Sequence, residues 1–135
     1  MVLIKNITRR LIDAAKEVQG NFVLSEEGLE AGAVGAALLT ADNNIYTGIC
    51  IELACGIGFC AEHAAISEML KNRETVIKQI VALNSHKVLP PCGRCREMMV
   101  QLNKENLNTE VVLSAEKKVK LKELIPYHWL QEKYI

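Results

Sequence analysis

Near the start of the chain, apolar residues recur at helical spacing, at Ile7, Leu11, Ala14, Ala15 and Val18. Asn6 stands where it can cap such a helix and Gly20 where it can end one, so the pattern predicts a first helix lying on a sheet. A polar stretch containing Glu26, Glu27 and Glu30 then leads into an apolar run over 34–40. After the turn residues Asp42, Asn43 and Asn44 a second run covers 45–53, and the two read as an antiparallel hairpin.

Helical spacing returns from about Cys60 through Ala64, Ala65 and Met69, followed by an apolar strand over 80–83. This strand, helix, strand order predicts a parallel pairing. The same logic repeats once more. Pro90 and Pro91 break the chain, a helix starts near Cys92 and runs through Met98, Met99 and Leu102, and a strand follows over 111–113. The sheet is therefore expected to be mixed and the class α/β. The tail offers a short strand over 119–121 and a helical turn over 121–125 stopped by Pro126, with Tyr127, His128 and Trp129 beyond it.

No repeat or low-complexity linker interrupts this alternation, and 135 residues, half of them hydrophobic, suit one domain over 1–135. Lysine plus arginine and aspartate plus glutamate number 16 each, so there is no basic excess of the kind nucleic acid would favour. A small, weakly charged substrate fits better. Charged residues follow Met1-Val2-Leu3-Ile4 at once, unlike a secretory signal, and no run approaches a membrane span. The expectation is a cytoplasmic protein. In such a compartment five cysteines are metal ligands or small buried residues rather than disulfides.

Their spacing separates the two roles. Cys60-Ala61-Glu62 and Pro91-Cys92-Gly93-Arg94-Cys95 both sit where a loop enters a predicted helix. Amides and dipoles at helix starts favour thiolate, the form that binds metal. Cys92 and Cys95 can face one ion from a single turn, and Cys60 can reach it from the neighbouring helix. A structural zinc usually takes four protein ligands, whereas three clustered cysteines suggest a catalytic zinc with a position left for water. Glu62, two residues from a ligand, can take a proton from that water and pass it on. A structural zinc or a redox pair would explain the cysteines without Glu62, and a first-turn glutamate is common at any helix start. Only the joint pattern, a ligand, then x-Glu, then Pro-Cys-x-x-Cys, matches the zinc nucleobase deaminases. Here Cys60 takes the place of their histidine.

With these residues in view, the chain resembles the cytidine deaminase family in its small, three-cysteine form. Residues 34–40 look like the family's first strand and 48–52 like its substrate-binding strand, while Cys60-Ala61-Glu62 and the run from Pro91 to Glu97 look like its metal site. The resemblance implies a three-layer α/β/α sandwich with a mixed five-stranded sheet and one Zn2+ per subunit. It also implies a homotetramer in which neighbouring chains help to build each active site. It assigns Cys60, Cys92 and Cys95 as ligands, Glu62 as the proton shuttle and the Ala61 backbone as a contact to the base. The activity implied is hydrolysis of a free cytosine nucleoside, cytidine or deoxycytidine, to the uracil nucleoside and ammonia.

The chain also departs from the family. Typical members hold the ribose with Asn-x-Glu, and here Cys50 replaces the asparagine while Glu52 remains. The aromatic expected shortly before Val34 is missing from Leu29-Glu30-Ala31-Gly32-Ala33, and the loop from Glu52 to Cys60 is shorter. With Cys-Gly-Arg-Cys-Arg and the aromatic tail, these features resemble the blasticidin-S deaminase branch, which acts on a cytosine nucleoside analogue. Tyr127 and Trp129 would either close the core or stack on a flat base across a pocket or subunit boundary. Cys50 and Cys55, if not at the substrate, read as small buried residues. Three thiolates and zinc sum to minus one, a charge that His63, Arg94 or Arg96 could offset. A zinc-stabilised nucleoside-binding protein without turnover is the alternative to an enzyme.

Overall fold

Helices cover both faces of a central sheet in the computed structural model, which describes the backbone of residues 2–131 and the side chains of residues 7–131. Helix α1 (Val2–Val18) begins before the expected cap, so Asn6 lies inside it. Leu11, Ile12 and Ala15 form its buried stripe, while Val18 at its end is exposed. Each large side chain of this stripe contributes about 1.5–3 kcal/mol on leaving water. No helix among the described residues is long and apolar enough to cross a membrane.

After α1, β1 (Phe22–Val23) pairs with the start of β2 (Glu30–Thr40), and β2 forms the expected hairpin with β3 (Ile45–Glu52), with Ala36 opposite Gly48. Strand β4 (Gly58–Phe59) adds to the far end of β3, and α2 (Ala61–Lys71) follows. Strand β5 (Ile77–Leu83) then pairs antiparallel with β2, on the edge that β3 leaves free. Strands β3 and β5 thus run in the same direction but do not touch, which corrects the expected parallel pair around α2. The reason lies in burial. Residues 36–40 of β2 are buried on both faces, whereas β3 is mostly half-buried, so β2 claims the sheet's interior.

The parallel pair forms one step later. Strand β6 (Val88–Leu89) adds a short ladder to β5, α3 (Gly93–Leu102) crosses over, and β7 (Glu110–Ser114) pairs parallel with β5, with Ile80 opposite Val111. Strand β8 (Lys117–Lys120) closes the edge antiparallel to β7. The order is β4-β3-β2-β5-β7-β8, with β1 on β2 and β6 on β5. Five of these strands, β2, β3, β5, β7 and β8, are the five expected, and three two-residue ladders enlarge the sheet to eight. Such ladders pair loop backbone with the sheet and are too short to leave an alternating pattern in sequence.

The two faces carry separate cores. Ala37, Leu39, Val81, Leu83 and Val112 meet α1, and Leu38, Ile80 and Val111 meet Ala65, Ile66 and Met69 of α2 and Met99 and Val100 of α3. Buried Asn106 ties this second layer together. Its Oδ1 accepts the Ile77 amide at 2.8 Å, and its Nδ2 donates to the carbonyls of Met99 at 2.8 Å and Thr75 at 3.0 Å. Two glycines are required by close approach. Gly32 has φ +89°, and a Cβ there would stand 2.2 Å from the Gly20 carbonyl oxygen. Gly48 lets α2 rest on the backbone of β3, since its Cβ would stand 2.4 Å from the Ala65 nitrogen.

Candidate metal centre and active site

Cys60 and Cys92 are the N-cap residues of α2 and α3, with extended backbone at φ −69°, ψ 153° and φ −68°, ψ 167°. Their carbonyls accept the first helical bonds, from His63 and Arg96, each at 3.0 Å. Neither thiol caps its own helix, which leaves both sulfurs free. The two sulfurs lie 3.4 Å apart, and the Cys92 sulfur lies 3.5 Å from that of buried Cys95 in the first turn of α3. All three fall within 4.8 Å of one another and form a group to which no further histidine, cysteine, aspartate or glutamate belongs among the described residues. Zinc–sulfur bonds of about 2.3 Å place tetrahedral corners about 3.8 Å apart, so the trio fits one zinc with a corner open.

Without metal, the helix starts lower only one of the three thiols. At Cys92 burial pushes the pKa up, but amide donors from Cys95 and Arg94 and the neighbouring thiols outweigh it, and the net direction is down. Burial dominates at Cys60, which is pushed up, and at Cys95, pushed further up with the Glu62 charge adding.

Glu62, in the first turn of α2, is 4% exposed. Burial holds its carboxyl above the ordinary glutamate range, and its own backbone amide pulls partly back. It opens, with Cys60 and Cys92, onto a cavity of about 420 Å3, within the range of roughly 300–1,000 Å3 of small-molecule sites. A second hollow of about 490 Å3 beside Ile7, Lys78 and Glu105 is larger but holds no cysteine or histidine.

The other expected site residues divide. Cys50, Glu52, Ala61 and Arg94 line the cavity. Cys50 is buried and its sulfur accepts the Val34 amide at 3.3 Å, whereas Glu52 and Arg94 are exposed at the mouth. His63 is buried beside Phe59, with ring centroids 6.0 Å apart, and its Nε2 has no hydrogen-bond partner among the described residues. Burial lowers its pKa and the charge of Arg94 lowers it further. Arg96 is committed elsewhere: its Nε donates to the Pro91 carbonyl at 2.8 Å and its Nη1 to the Leu124 carbonyl at 3.1 Å. It fastens the cysteine loop to the tail, and neither of these bonds reaches a thiolate.

Tyr127 and Trp129 are 81% and 72% exposed, so they do not close the core, and within one chain they are not among the residues lining the cavity. The helical turn ends at Glu123, short of the expected 125 and before Pro126. Beyond it Tyr127 and Trp129 are exposed while His128 between them is buried, and the Trp129 amide donates to Glu97 at 3.0 Å. Cys55 is also exposed, in a turn at φ +61°, and not the small buried residue expected. Sequence reasoning missed the apolar walls, Val34, Phe59, Ala82, Leu89 and Pro90. Phe59 and Pro90 are near neighbours of ligands in the chain, and that adjacency was the available signal.

Fold and site together define an α/β/α protein built around a three-sulfur metal centre with an open position beside a buried carboxylate. Residues 6–111 match the model of the cytidine and deoxycytidylate deaminase zinc-binding region, and the chain belongs to that family. A cytidine deaminase of Halalkalibacterium halodurans is 38% identical over 71 residues, 51% of this chain and 54% of that protein. The match thus spans about half of that relative's length, 54%. The fold likeness is more complete. The crystal structure of a cytidine deaminase from Burkholderia pseudomallei has a TM-score of 0.72 at 28% identity, covering 90% of this chain and 98% of that one. The cytidine deaminase from Bacillus anthracis has a TM-score of 0.70 at 27% identity, covering 95% and 92%.

Proposed function

We propose that this chain, acting as one domain, deaminates a free cytosine nucleoside, cytidine or deoxycytidine, to the uracil nucleoside and ammonia. The observation that carries the reading is the placement of Glu62, buried in the same cavity as the cysteine sulfurs. Zinc held by Cys60, Cys92 and Cys95 would supply Lewis acidity that activates water for addition at C4 of the ring.

The chain's own residues supply the proton traffic and the fit. Glu62, whose burial keeps its carboxyl easy to protonate, takes a proton from the attacking water and delivers it to the ring nitrogen. It then takes the proton of the new C4 hydroxyl and hands it to the departing amine, so that the C4 carbonyl forms as the C4–N bond breaks and ammonia leaves. The Ala61 backbone meets the base, and Phe59, Leu89 and Pro90 exclude bulk water. Glu52 faces the sugar, while the positive charge of Arg94 offsets the negative charge of the thiolates.

Exposed Phe22, Val23, Leu24, Leu53, Ile57 and Phe59 give the β1 and β4 region apolar surface suited to a second copy, in keeping with the proposed homotetramer. Five free cysteines suit the reducing cytoplasm. The matching relatives are named cytidine deaminases. Cytidine and deoxycytidine are therefore the proposed substrates, with a blasticidin-S-type analogue as the alternative.

The test is ammonia release by the zinc-loaded chain from cytidine, deoxycytidine, cytosine and blasticidin S. Release from a cytosine nucleoside, abolished in Glu62→Gln, supports the reading. Silence on every cytosine nucleoside, or full activity in Glu62→Gln, overturns it.

A further inference from the structure

Strand β3 turns Gly48, Cys50 and Glu52 to the same face, and these three meet different surroundings. Gly48 touches the backbone of α2, Glu52 reaches the cavity mouth, and Cys50 lies between them among Ala36, Ala61 and Ala82. Among the described residues lining the cavity, only Glu52, Glu62 and Arg94 carry side-chain oxygen or nitrogen. Glu62 sits at the sulfur end and the other two are exposed at the mouth. The cavity is also lined by Val34, Cys50, Ala82, Leu89 and Pro90, whose side chains offer only hydrocarbon and one thiol.

That thiol is a weak substitute for a polar group. A cysteine S–H is a poor donor and its sulfur a poor acceptor. The Cys50 sulfur is moreover already engaged by the Val34 amide at 3.3 Å, and the residue is 6% exposed. In the deaminase reading, a base bound beside Glu62 carries its sugar along these side chains, with Glu52 as the one carboxylate acceptor beyond them. A sugar hydroxyl falling there gives up its water and finds no strong side-chain partner.

We propose that Cys50 makes this cavity selective for cytosine nucleosides whose sugar is poor in hydroxyl groups. This rests on the deaminase reading and narrows its substrate class. The order of kcat/KM should be 2′,3′-dideoxycytidine, then deoxycytidine, then cytidine, with the extremes separated by about ten- to a hundredfold, the range over which an apolar pocket rejects an added hydroxyl.

The experiment measures kcat/KM for these three nucleosides with the zinc-loaded full chain, and their Kd with zinc-loaded Glu62→Gln, in which binding is read without turnover. Cys50→Ser is the diagnostic variant, because a serine hydroxyl can accept the Val34 amide and still donate to a sugar oxygen. It should narrow the dideoxycytidine-to-cytidine ratio severalfold in both measurements. Since the ratio compares substrates on one protein, a loss of stability in the variant does not obscure it. Cytidine turned over as well as dideoxycytidine, or an unchanged ratio in Cys50→Ser, overturns the inference while leaving the deaminase reading intact. Failure to deaminate or bind any of the three overturns both.

Discussion

Cys60 and Cys92 hold the same position in two different helices, each the residue that starts its helix, and their sulfurs approach to 3.4 Å. A metal bound there joins the first turns of α2 and α3 directly. Farther along, the helices already share an apolar layer through Met69 and Met99. The metal is therefore needed for the site more than for the fold. Chelation should abolish ammonia release while leaving a cooperative thermal transition with near-native circular dichroism and a lower Tm. Cys92→Ala should behave as the chelated protein does and retain no stoichiometric zinc by elemental analysis.

Replacing Glu62 separates chemistry from assembly. Glu62→Gln keeps the shape and the zinc but removes the proton carrier, and kcat should fall by about 10²–10⁴-fold, the usual worth of a positioned acid–base group. Zinc content should stay at one per chain. Because the wild-type carboxyl is buried at a desolvation cost, the variant's Tm should equal or exceed that of the wild type.

Asn106 is a structural counterpart to the site. All three of its bonds are internal and buried or half-buried, so Asn106→Ala strands the Ile77 amide and the Met99 carbonyl. Each buried group left unpaired costs about 1–3 kcal/mol, and urea unfolding should report a loss of a few kcal/mol with an unchanged m-value.

Gly32→Ala tests a different kind of constraint. The new Cβ would face the Gly20 carbonyl from a backbone at φ +89°, so both steric overlap and torsional strain oppose it. The variant should lose at least about 1 kcal/mol by denaturant unfolding.

Glu74 gives the fold an acid limb. Its carboxylate accepts from the Thr40 hydroxyl at 2.6 Å, from the Tyr46 hydroxyl and from the Asn44 amide at 3.1 Å, joining the hairpin turn to the segment after α2. These donors, Thr40 foremost and Tyr46 next, hold its pKa below the usual value. The stabilisation is fully present above the unfolded glutamate pKa and disappears as pH falls through the lower folded value. Tyr46 has the opposite sign: the same bond pushes its pKa up to about 12, so stability present below the unfolded tyrosine value is lost as pH rises through that point. Plots of Tm against pH should flatten at the acid end in Glu74→Gln and at the alkaline end in Tyr46→Phe.

The metal corner was legible in the sequence because its chemistry is local. Cys60 and Glu62 are two residues apart, Cys92 and Cys95 three, and both pairs sit at helix starts marked by breaks in the hydrophobic pattern. The five long strands were legible for a related reason, since burial on one or two faces writes itself into short runs. Pairing was less so. That β2 lies between β3 and β5 depends on which run is buried on both faces, and β3 is nearly as apolar as β2. Asn106 left no signal, because its partners lie 7 to 31 residues away and a buried asparagine reads like any loop residue. For the aromatic tail only the core reading was misleading, since Tyr127 and Trp129 are exposed in the single chain and close no core of their own.

The place of β2 also governs the order in which the centre can come into being. Cys60 follows one neighbour of β2 and Cys92 follows the other, so the two sulfurs meet only after β5, made some forty residues later than β2, has docked along its free edge. A chain still emerging from the ribosome, or one trapped with β5 undocked, can hold Cys92 and Cys95 but not the third sulfur. Tight zinc capture by all three sulfurs therefore requires the completed sheet.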